Sequence, residues 1–190
     1  GTWTADFSGE VDLGPGSNGG SQQCDDDNDC TQVDWNVANP AVHVDPRHDG
    51  VWGDQWLPND EVTIWIDGVE HSTLPTDEWG NFGNDWDPMG TDLTQDSTVM
   101  AVQGDTTKTH DVTSLAITDI DVDTDIVTGT ADGPFDIWVH DTDASRHVDH
   151  DGVGAWSVNW SIPGPNEGEE TTANLEPGSN GNSQECDDDG

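Results

Sequence analysis

The sequence predicts an all-β protein: two antiparallel β-sandwiches in tandem, preceded by a segment that repeats the end of the second. Three observations carry this. Short runs rich in Val, Ile, Thr and Trp recur about every 8–12 residues, divided by turn dipeptides such as Asn59-Asp60, Asp67-Gly68, Asp132-Gly133 and Asp151-Gly152. No stretch of respectable length carries the apolar period of an amphipathic helix. Finally, the string PGSNGGSQQCDDD from Pro15 returns as PGSNGNSQECDDD from Pro177, with two substitutions. Chance does not produce such a match, and a repeat of this period governs how everything else is read.

The elements follow in order. Residues 1–35 form the terminal strands and acidic Cys loop of a preceding repeat. Gly1–Ser8 (GTWTADFS) matches Gly154–Ser161 (GAWSVNWS), so Trp3 and Phe7 stand where Trp156 and Trp160 stand later. A strand at Val33–Val37 ends that preceding repeat, and residues 36–114 make sandwich A, with strands expected at Val42–Val44, Glu61–Ile66, Val99–Gln103 and Thr107–Val112. Residues 115–190 make sandwich B, with strands at Leu115–Ile120, Ile126–Thr130, Phe135–His140 and Trp156–Ser161. Each run is short, β-branched or aromatic, and bounded by Gly, Asp, Asn or Pro. Trp65 and Trp138 occupy matching places in alternating strands and, with Trp156, are expected in the cores. Trp52, Trp56, Trp79 and Trp86 lie near turns, where core burial is less favoured and an exposed Trp could stack on sugar rings or seal subunit contacts. Sandwich B lacks the counterpart of Thr31–Val37, so it is expected to be one strand short.

Composition narrows the chemistry. The 190 residues carry 41 Asp+Glu against 3 Lys+Arg, a formal charge of −38. A folded chain of this mass exposes on the order of 8,800 Å². That is roughly one net charge per 230 Å², with neighbours about 15 Å apart against a screening length of about 10 Å in 0.1 M salt. Nucleic acid and anionic membrane surfaces, which bind through Lys/Arg clusters, are excluded as partners. No stretch is long and apolar enough to insert in a membrane. The charge asks for counter-ions, either molar salt or bound cations. Of the acids 32 are Asp and 9 are Glu. Asp favours turns and is a usual Ca²⁺-loop ligand, so the bias points to Ca²⁺. Ten Trp argue against the disorder that such charge would otherwise imply.

Two acidic groups are candidate metal sites. The first is CDDDNDC, with Asp25, Asp26, Asp27, Asn28 and Asp29 between Cys24 and Cys30, continuing to Asp34; Asp187, Asp188 and Asp189 repeat it. A Cys24–Cys30 disulfide would hold those oxygens close together. The loop lacks the Gly and terminal Glu of an EF-hand. Zinc on the two Cys is disfavoured by hard oxygen neighbours. The bland reading is a solvated acidic turn. The second group is Asp119, Asp121, Asp123 and Asp125, whose alternate spacing would put four carboxylates on one face of a strand. Stacked like charges are unfavourable without a cation among them; the bland reading is an edge strand blunted by charge. Weaker candidates are Asp77/Glu78, Asp141/Asp143 and Asp149/Asp151. Cys186 repeats Cys24, and with Trp3, Phe7 and Trp35 it is assigned to assembly.

Catalysis finds no support. The seven His are scattered, and no nucleophile elbow, H-E-x-x-H, Walker loop or dinucleotide fingerprint is present. With this many carboxylates, a pair at glycosidase spacing arises by chance. The chain is expected not to be an enzyme.

The order V-x-G-x-x-W-x-P-x-x-x-V-x-I-x-I-D-G followed by D-x-x-G-x-F/W, carried by Val51–Gly68 and Asp77–Phe82, resembles bacterial Ig-like domains arrayed in large surface adhesins and extracellular fibres. The resemblance spans residues 36–161. It implies Ig-like sandwiches that serve as spacers or fibre subunits, often stiffened by Ca²⁺ at junctions, on the outside of a cell. The long acidic Cys insertion and the Trp excess depart from the family pattern. The expectation is a calcium-stabilised structural repeat of an extracellular fibre or surface stalk, whose partners are further copies in a head-to-tail polymer. The alternatives are a carbohydrate-binding adhesin module with glycan partners, and an accessory domain of a secreted hydrolase.

Overall fold

The computed structural model describes residues 2–11 and 13–186, with the backbone alone for 84–88. Asp187, Asp188 and Asp189 therefore lie outside the described residues, as does the side chain of Trp86. The described chain is all-β, its one helical element being a 3-10 turn at His140–Thr142. It divides into two compact units, Gly1–Leu93 with Thr98–His110 and Thr94–Ser97 with Asp111–Gly190.

A two-stranded hairpin opens the first unit. Strands β1 (Asn18–Cys24) and β2 (Cys30–Asn36) pair antiparallel from Asn18↔Asn36 to Cys24↔Cys30. Nearly every side chain in it is exposed. Beyond it, β3 (Ala41–Asp45), β4 (Gly50–Asp54) and β7 (Phe82–Pro88) form one sheet in the order β3-β4-β7. A second sheet runs β6-β5-β8-β9, from β5 (Glu61–Ile66), β6 (Val69–Pro75), β8 (Thr98–Gln103) and β9 (Thr106–Asp111). Alternation selects the buried face: Val62, Ile64 and Ile66 of β5 and Val99 and Ala101 of β8 point inward. Gln103 also points inward. Its amide stays satisfied, accepting the N–H of Leu57 at 2.7 Å and donating to the Leu57 carbonyl at 3.1 Å.

The second unit repeats this plan. Strands β10 (Ala116–Asp121), β11 (Ile126–Ala131) and β14 (Gly154–Asn159) form a sheet in the order β10-β11-β14. Strands β12 (Phe135–Val139), β13 (Ala144–Val148) and β15 (Gly181–Gln184) form the other, in the order β13-β12-β15. Both sheets feed one core: Val127, Ala131, Trp156 and Val158 from the first, Phe135, Ile137, Val139 and Ala144 from the second. Phe135 and Trp156 meet across the layers with ring centroids 4.9 Å apart. Strands β10 to β15 match β3 to β8 in chain order and pairing; among the described residues, no strand of the second unit matches β9.

Several tryptophans sit differently from expectation. Trp65 and Trp138 are half-buried on the outward side of β5 and β12, because the inward parity belongs to their neighbours Ile64, Ile66, Ile137 and Val139. Trp56, near a turn, is fully buried. Its indole N–H donates to the Ala41 carbonyl at 2.8 Å, and its ring meets Phe82 edge-on. A loop residue thus fills the core that a strand tryptophan was expected to fill. Trp156 is buried as expected.

Candidate functional site

The acidic hairpin is closed as expected by a Cys24–Cys30 disulfide. The two Cα atoms lie 4.1 Å apart, the close spacing of a non-hydrogen-bonded cross-strand pair. Within the turn Asp25 works on the backbone: its Oδ1 accepts the N–H of Asp27 at 3.0 Å and of Asp29 at 3.1 Å. Asn28 completes the turn in the left-handed region at φ 65°, a conformation Asn tolerates. The turn at Asp77 is built alike. Asp77 Oδ1 accepts the N–H of Trp79 at 2.9 Å and of Asn81 at 2.8 Å, and Gly80 takes φ 83°. The Asn81 N–H, with other donors in that turn, holds the Asp77 carboxyl below the usual carboxylate range.

Asp26, Asp27 and Asp29 project into solvent around this turn. Asp34 does not join them. It sits four residues along β2 from Cys30, about 13 Å at strand rise, and its Oδ1 accepts from Gln32 Nε2 at 2.7 Å.

The expected four-carboxylate ladder is not a ladder. Strand β10 ends at Asp121, and a register shift lies between Ile117 and Asp119. Asp119 and Asp121 alone remain in the strand, whereas Asp123 and Asp125 lie in the turn to β11. Asp121 Oδ1 accepts the N–H of Asp123 at 2.9 Å and of Thr124 at 3.3 Å. Hydrogen bonds from the Thr124 side chain and the Asp123 N–H lower its pKa. Asp125 adopts φ 57° and accepts the Leu175 N–H on Oδ1 at 2.7 Å. Short acids spaced i, i+2 serve turns as readily as strand faces, and here the turn prevails. Among the described residues, no three His, Cys, Asp or Glu side chains converge as a metal site.

Sequence reasoning missed the most buried charges. Arg146 and Glu169 are both buried in the second unit. The guanidinium donates from Nη1 to the Ser145 carbonyl at 2.7 Å and from Nη2 to the Ile162 and Thr171 carbonyls at 3.0 Å each. It lies over the Trp160 ring, 4.8 Å from the centroid. Burial pushes the Glu169 carboxyl up. The His147 N–H at 2.6 Å, Asn166 and the Arg146 charge outweigh that, and the net pKa is lowered. One of only three cations in so acidic a chain was the available signal. Nearby, His147 Nδ1 bonds Asp136 Oδ1 at 2.9 Å, and this raises the imidazole pKa. These pairs are structural: Arg146 and Glu169 fasten residues 162–171 to β13, and His147 ties β13 to β12.

The residues expected to serve assembly contrast sharply with their repeats. Trp3 is 71 % exposed and Phe7 41 %, whereas Trp156 and Trp160 are 5 % and 0 %. The 162-residue offset extends leftward from Pro15 and matches Val11 with Ala173 and Leu13 with Leu175. Val11 and Leu13 are 56 % and 43 % exposed; Ala173 and Leu175 are 3 % and 5 %. Trp35 is half-buried, its ring centroid 6.5 Å from that of Phe7. Cys186 is exposed.

The repeated string opens on the same turn in both places. Ser17 donates its N–H to the Gly14 carbonyl at 3.0 Å while its Oγ accepts the Gly14 N–H at 3.1 Å. Ser179 does the same with Glu176, at 2.9 and 3.1 Å.

The comparisons with known proteins leave the chain to its own residues: no family model matches it, and no curated protein matches it.

Proposed function

We propose that the chain is a non-enzymatic structural repeat of an extracellular fibre or surface stalk, built of two Ig-like sandwiches and joined head to tail with further copies. The observation that carries this reading is the repeat itself. The strings at Pro15 and Pro177 fold into the same serine-closed turn, one opening the chain and the other closing the second unit. The strand orders β3-β4-β7 with β6-β5-β8-β9 support the Ig-like attribution, since sheets of three and four antiparallel strands are the plan of those sandwiches. The disulfide supports an oxidising exterior. Stiff sandwiches supply length, and cations relieve the repulsion of a chain with charge −38.

Ca²⁺ is the proposed cation, drawn to the exposed carboxylates of Asp26, Asp27 and Asp29 on the hairpin turn and of Asp119 on β10. EDTA treatment at low salt, followed by negative-stain imaging and thermal melting, tests this. Loss of filaments together with a lower melting temperature, both restored by Ca²⁺ but not by an equal ionic strength of NaCl, is the expected result. Unchanged assembly and melting would refute the calcium claim, and equal rescue by molar NaCl would assign the acidity to plain salt adaptation.

Glycan binding is a second reading, favoured by Trp79, which is 72 % exposed at the Asp77 turn. A flat exposed indole on a rigid turn is a surface on which a sugar ring stacks. Trp79→Ala abolishing retention on a glycan array would support it.

A further inference from the structure

We infer that residues 2–36 are the closing segment of a third sandwich, whose remaining strands come from a second copy of residues 111–153 placed directly ahead of Gly1. This deepens the head-to-tail reading and rests on it. In the second unit, β14 and the chain after it carry Trp156, Trp160, Ala173 and Leu175 into the core, and each is nearly inaccessible. The matching residues Trp3 with Phe7 and Val11 with Leu13 keep the spacing within each pair, yet all four are exposed. Four large side chains with no core of their own are costly to expose. Their counterparts show which core they fit, one lined by Val127, Phe135, Ile137 and Val139.

Backbone pairing gives the same answer. By the 162-residue offset β1 is the counterpart of β15, which lies against β12 in the register Val139↔Gly181, Trp138↔Asn182, Ile137↔Ser183 and Asp136↔Gln184. Among the described residues β1 pairs with β2 alone, so its other edge is open where β15 meets β12. Transposed, Gly19, Gly20, Ser21 and Gln22 would face Val139, Trp138, Ile137 and Asp136 of the second copy. The tightest point of that contact is preserved. A Cβ on Gly181 would come within 2.1 Å of the Trp138 carbonyl oxygen, and Gly19 is also glycine. Phe7 in place of Trp160 sacrifices no hydrogen bond, because the Trp160 indole N–H has no partner in the core.

The hairpin also supplies a strand, β2, in the place that β9 takes in the first unit. In the first unit β5 is followed across the sheet by β8 and β9; among the described residues of the second, β12 is followed by β15 alone. Adding β1 and β2 to a copy of β13-β12 gives a four-strand sheet with the plan of β6-β5-β8-β9. The match of Gly1–Ser8 with Gly154–Ser161 sets the register in which a copy ending at Val153 would join. One difference remains: the N-terminal segment is nine residues shorter between Ser8 and Val11 than the second unit is between Ser161 and Ala173, and the missing loop is the one that carries Glu169.

Two extended chains test the inference. The first places residues 111–153 ahead of Gly1 of the full chain. The second places residues 111–170 ahead of Gly9, so that the native loop with Glu169 is kept and Val11, Leu13, β1 and β2 close the unit. Both are labelled with 5-fluorotryptophan and digested with a broad protease. In the first chain the Trp3 resonance, assigned by Trp3→Phe, should lose its solvent isotope shift, and its acrylamide quenching should fall several-fold from that of the parent chain. In both, the added residues should resist digestion for at least tenfold longer than in versions carrying Val11→Ser with Leu13→Ser. Added residues digested at once in both chains, with Trp3 as exposed as before, would overturn the inference. A protected third unit in a chain that forms no filaments would uphold the inference and remove the fibre reading. Filaments from the parent chain with unprotected extensions would do the reverse.

Discussion

Oδ1 of Asp125 accepts the main-chain N–H of Leu175 at 2.7 Å, fifty residues on, while the Asp125 carbonyl accepts the N–H of Trp160 at 2.8 Å. One left-handed turn residue thereby holds both the end of β14 and the chain that carries Leu175 into the core. What read in the sequence as one rung of a cation ladder is a clasp for the closing segment of the second unit. Replacing Asp125 by Ala leaves the Leu175 N–H without its acceptor and puts at φ 57° a residue that adopts the left-handed region less readily than Asp. The expected loss is about 1–3 kcal/mol in chemical denaturation followed by Trp emission. Asp125→Asn keeps an acceptor oxygen and tolerates the left-handed region, so its loss should be clearly smaller. Equal losses for the two would show that the hydrogen bond contributes nothing.

Arg146 is the second fastening of that segment. Truncation to Met preserves most of the packing volume but removes the donors for the Ser145, Ile162 and Thr171 carbonyls and the cation above Trp160. Losing one member of a buried charged network costs about 3–5 kcal/mol, enough to unfold the second unit under mild denaturant. Arg146→Lys should recover only part of this, since one ammonium cannot span three carbonyls in a fixed fork. The unit's melting temperature, read by the Trp160 environment in near-UV circular dichroism, decides the matter.

Glycine content invites a different comparison. Gly68 and Gly80 have similar backbone angles, φ 76° and φ 83°. A Cβ on Gly68 meets nothing within 4 Å, whereas one on Gly80 would sit 2.0 Å from the Trp56 carbonyl oxygen. Gly68→Ala should therefore cost about 1 kcal/mol of conformational strain. Gly80→Ala must in addition move the backbone that carries the buried Trp56, so its cost should be at least twice that of Gly68→Ala. Comparable melting temperatures for the two variants would refute the packing argument.

Where side-chain alternation dictated structure, the sequence was readable. Glu61–Ile66 is a strand as expected, because Val62, Ile64 and Ile66 need one buried face; so, within a residue or two, are Val99–Gln103, Ile126–Thr130 and Phe135–His140. The strands that escaped notice, such as Asn18–Cys24, Phe82–Pro88 and Gly181–Gln184, are rich in Gly, Asn, Gln and Asp. They are placed by main-chain pairing to a neighbour, and no single segment announces its neighbour. The same limit hid the true roles of the acids. Asp25, Asp77, Asp121 and Asp125 each bond to backbone N–H groups, a choice governed by turn geometry that spacing alone does not reveal. Arg146 stood out as one of three cations, but its role did not, because its carbonyl partners at Ile162 and Thr171 belong to a loop with no periodic pattern.

Acid and base should bracket the stability of the second unit. His147 has its pKa raised chiefly by the hydrogen bond to Asp136, so its contribution is complete below its unfolded value of about 6.5 and fades as pH rises through the higher folded value. Glu169 has its pKa lowered, so its contribution is present above its unfolded value of about 4.3 and fades as pH falls through the folded value. Melting temperature should accordingly peak between these limits. Asp136→Asn should flatten the decline on the alkaline side and leave the acid side unchanged. A decline of the same slope in Asp136→Asn would assign it to the general self-repulsion of the acidic chain.

The disulfide bears on the hairpin and not on the sandwiches. It closes a loop with a sequence separation of only 6, worth about 2 kcal/mol on the chain-entropy account. A two-stranded hairpin is marginal in water by itself, and β1 and β2 bury almost nothing. Cys24→Ser with Cys30→Ser should therefore speed amide exchange at Thr31, Val33 and Trp35 by tenfold or more, while the melting temperatures of both units stay within a degree of the parent. If the turn is also the calcium site, affinity measured by titration calorimetry should fall with it, because Asp26, Asp27 and Asp29 lose the frame that holds them together. A large drop in global melting temperature would mean that the hairpin supports the first sandwich, and the picture of it as a segment whose own core lies elsewhere would have to be abandoned.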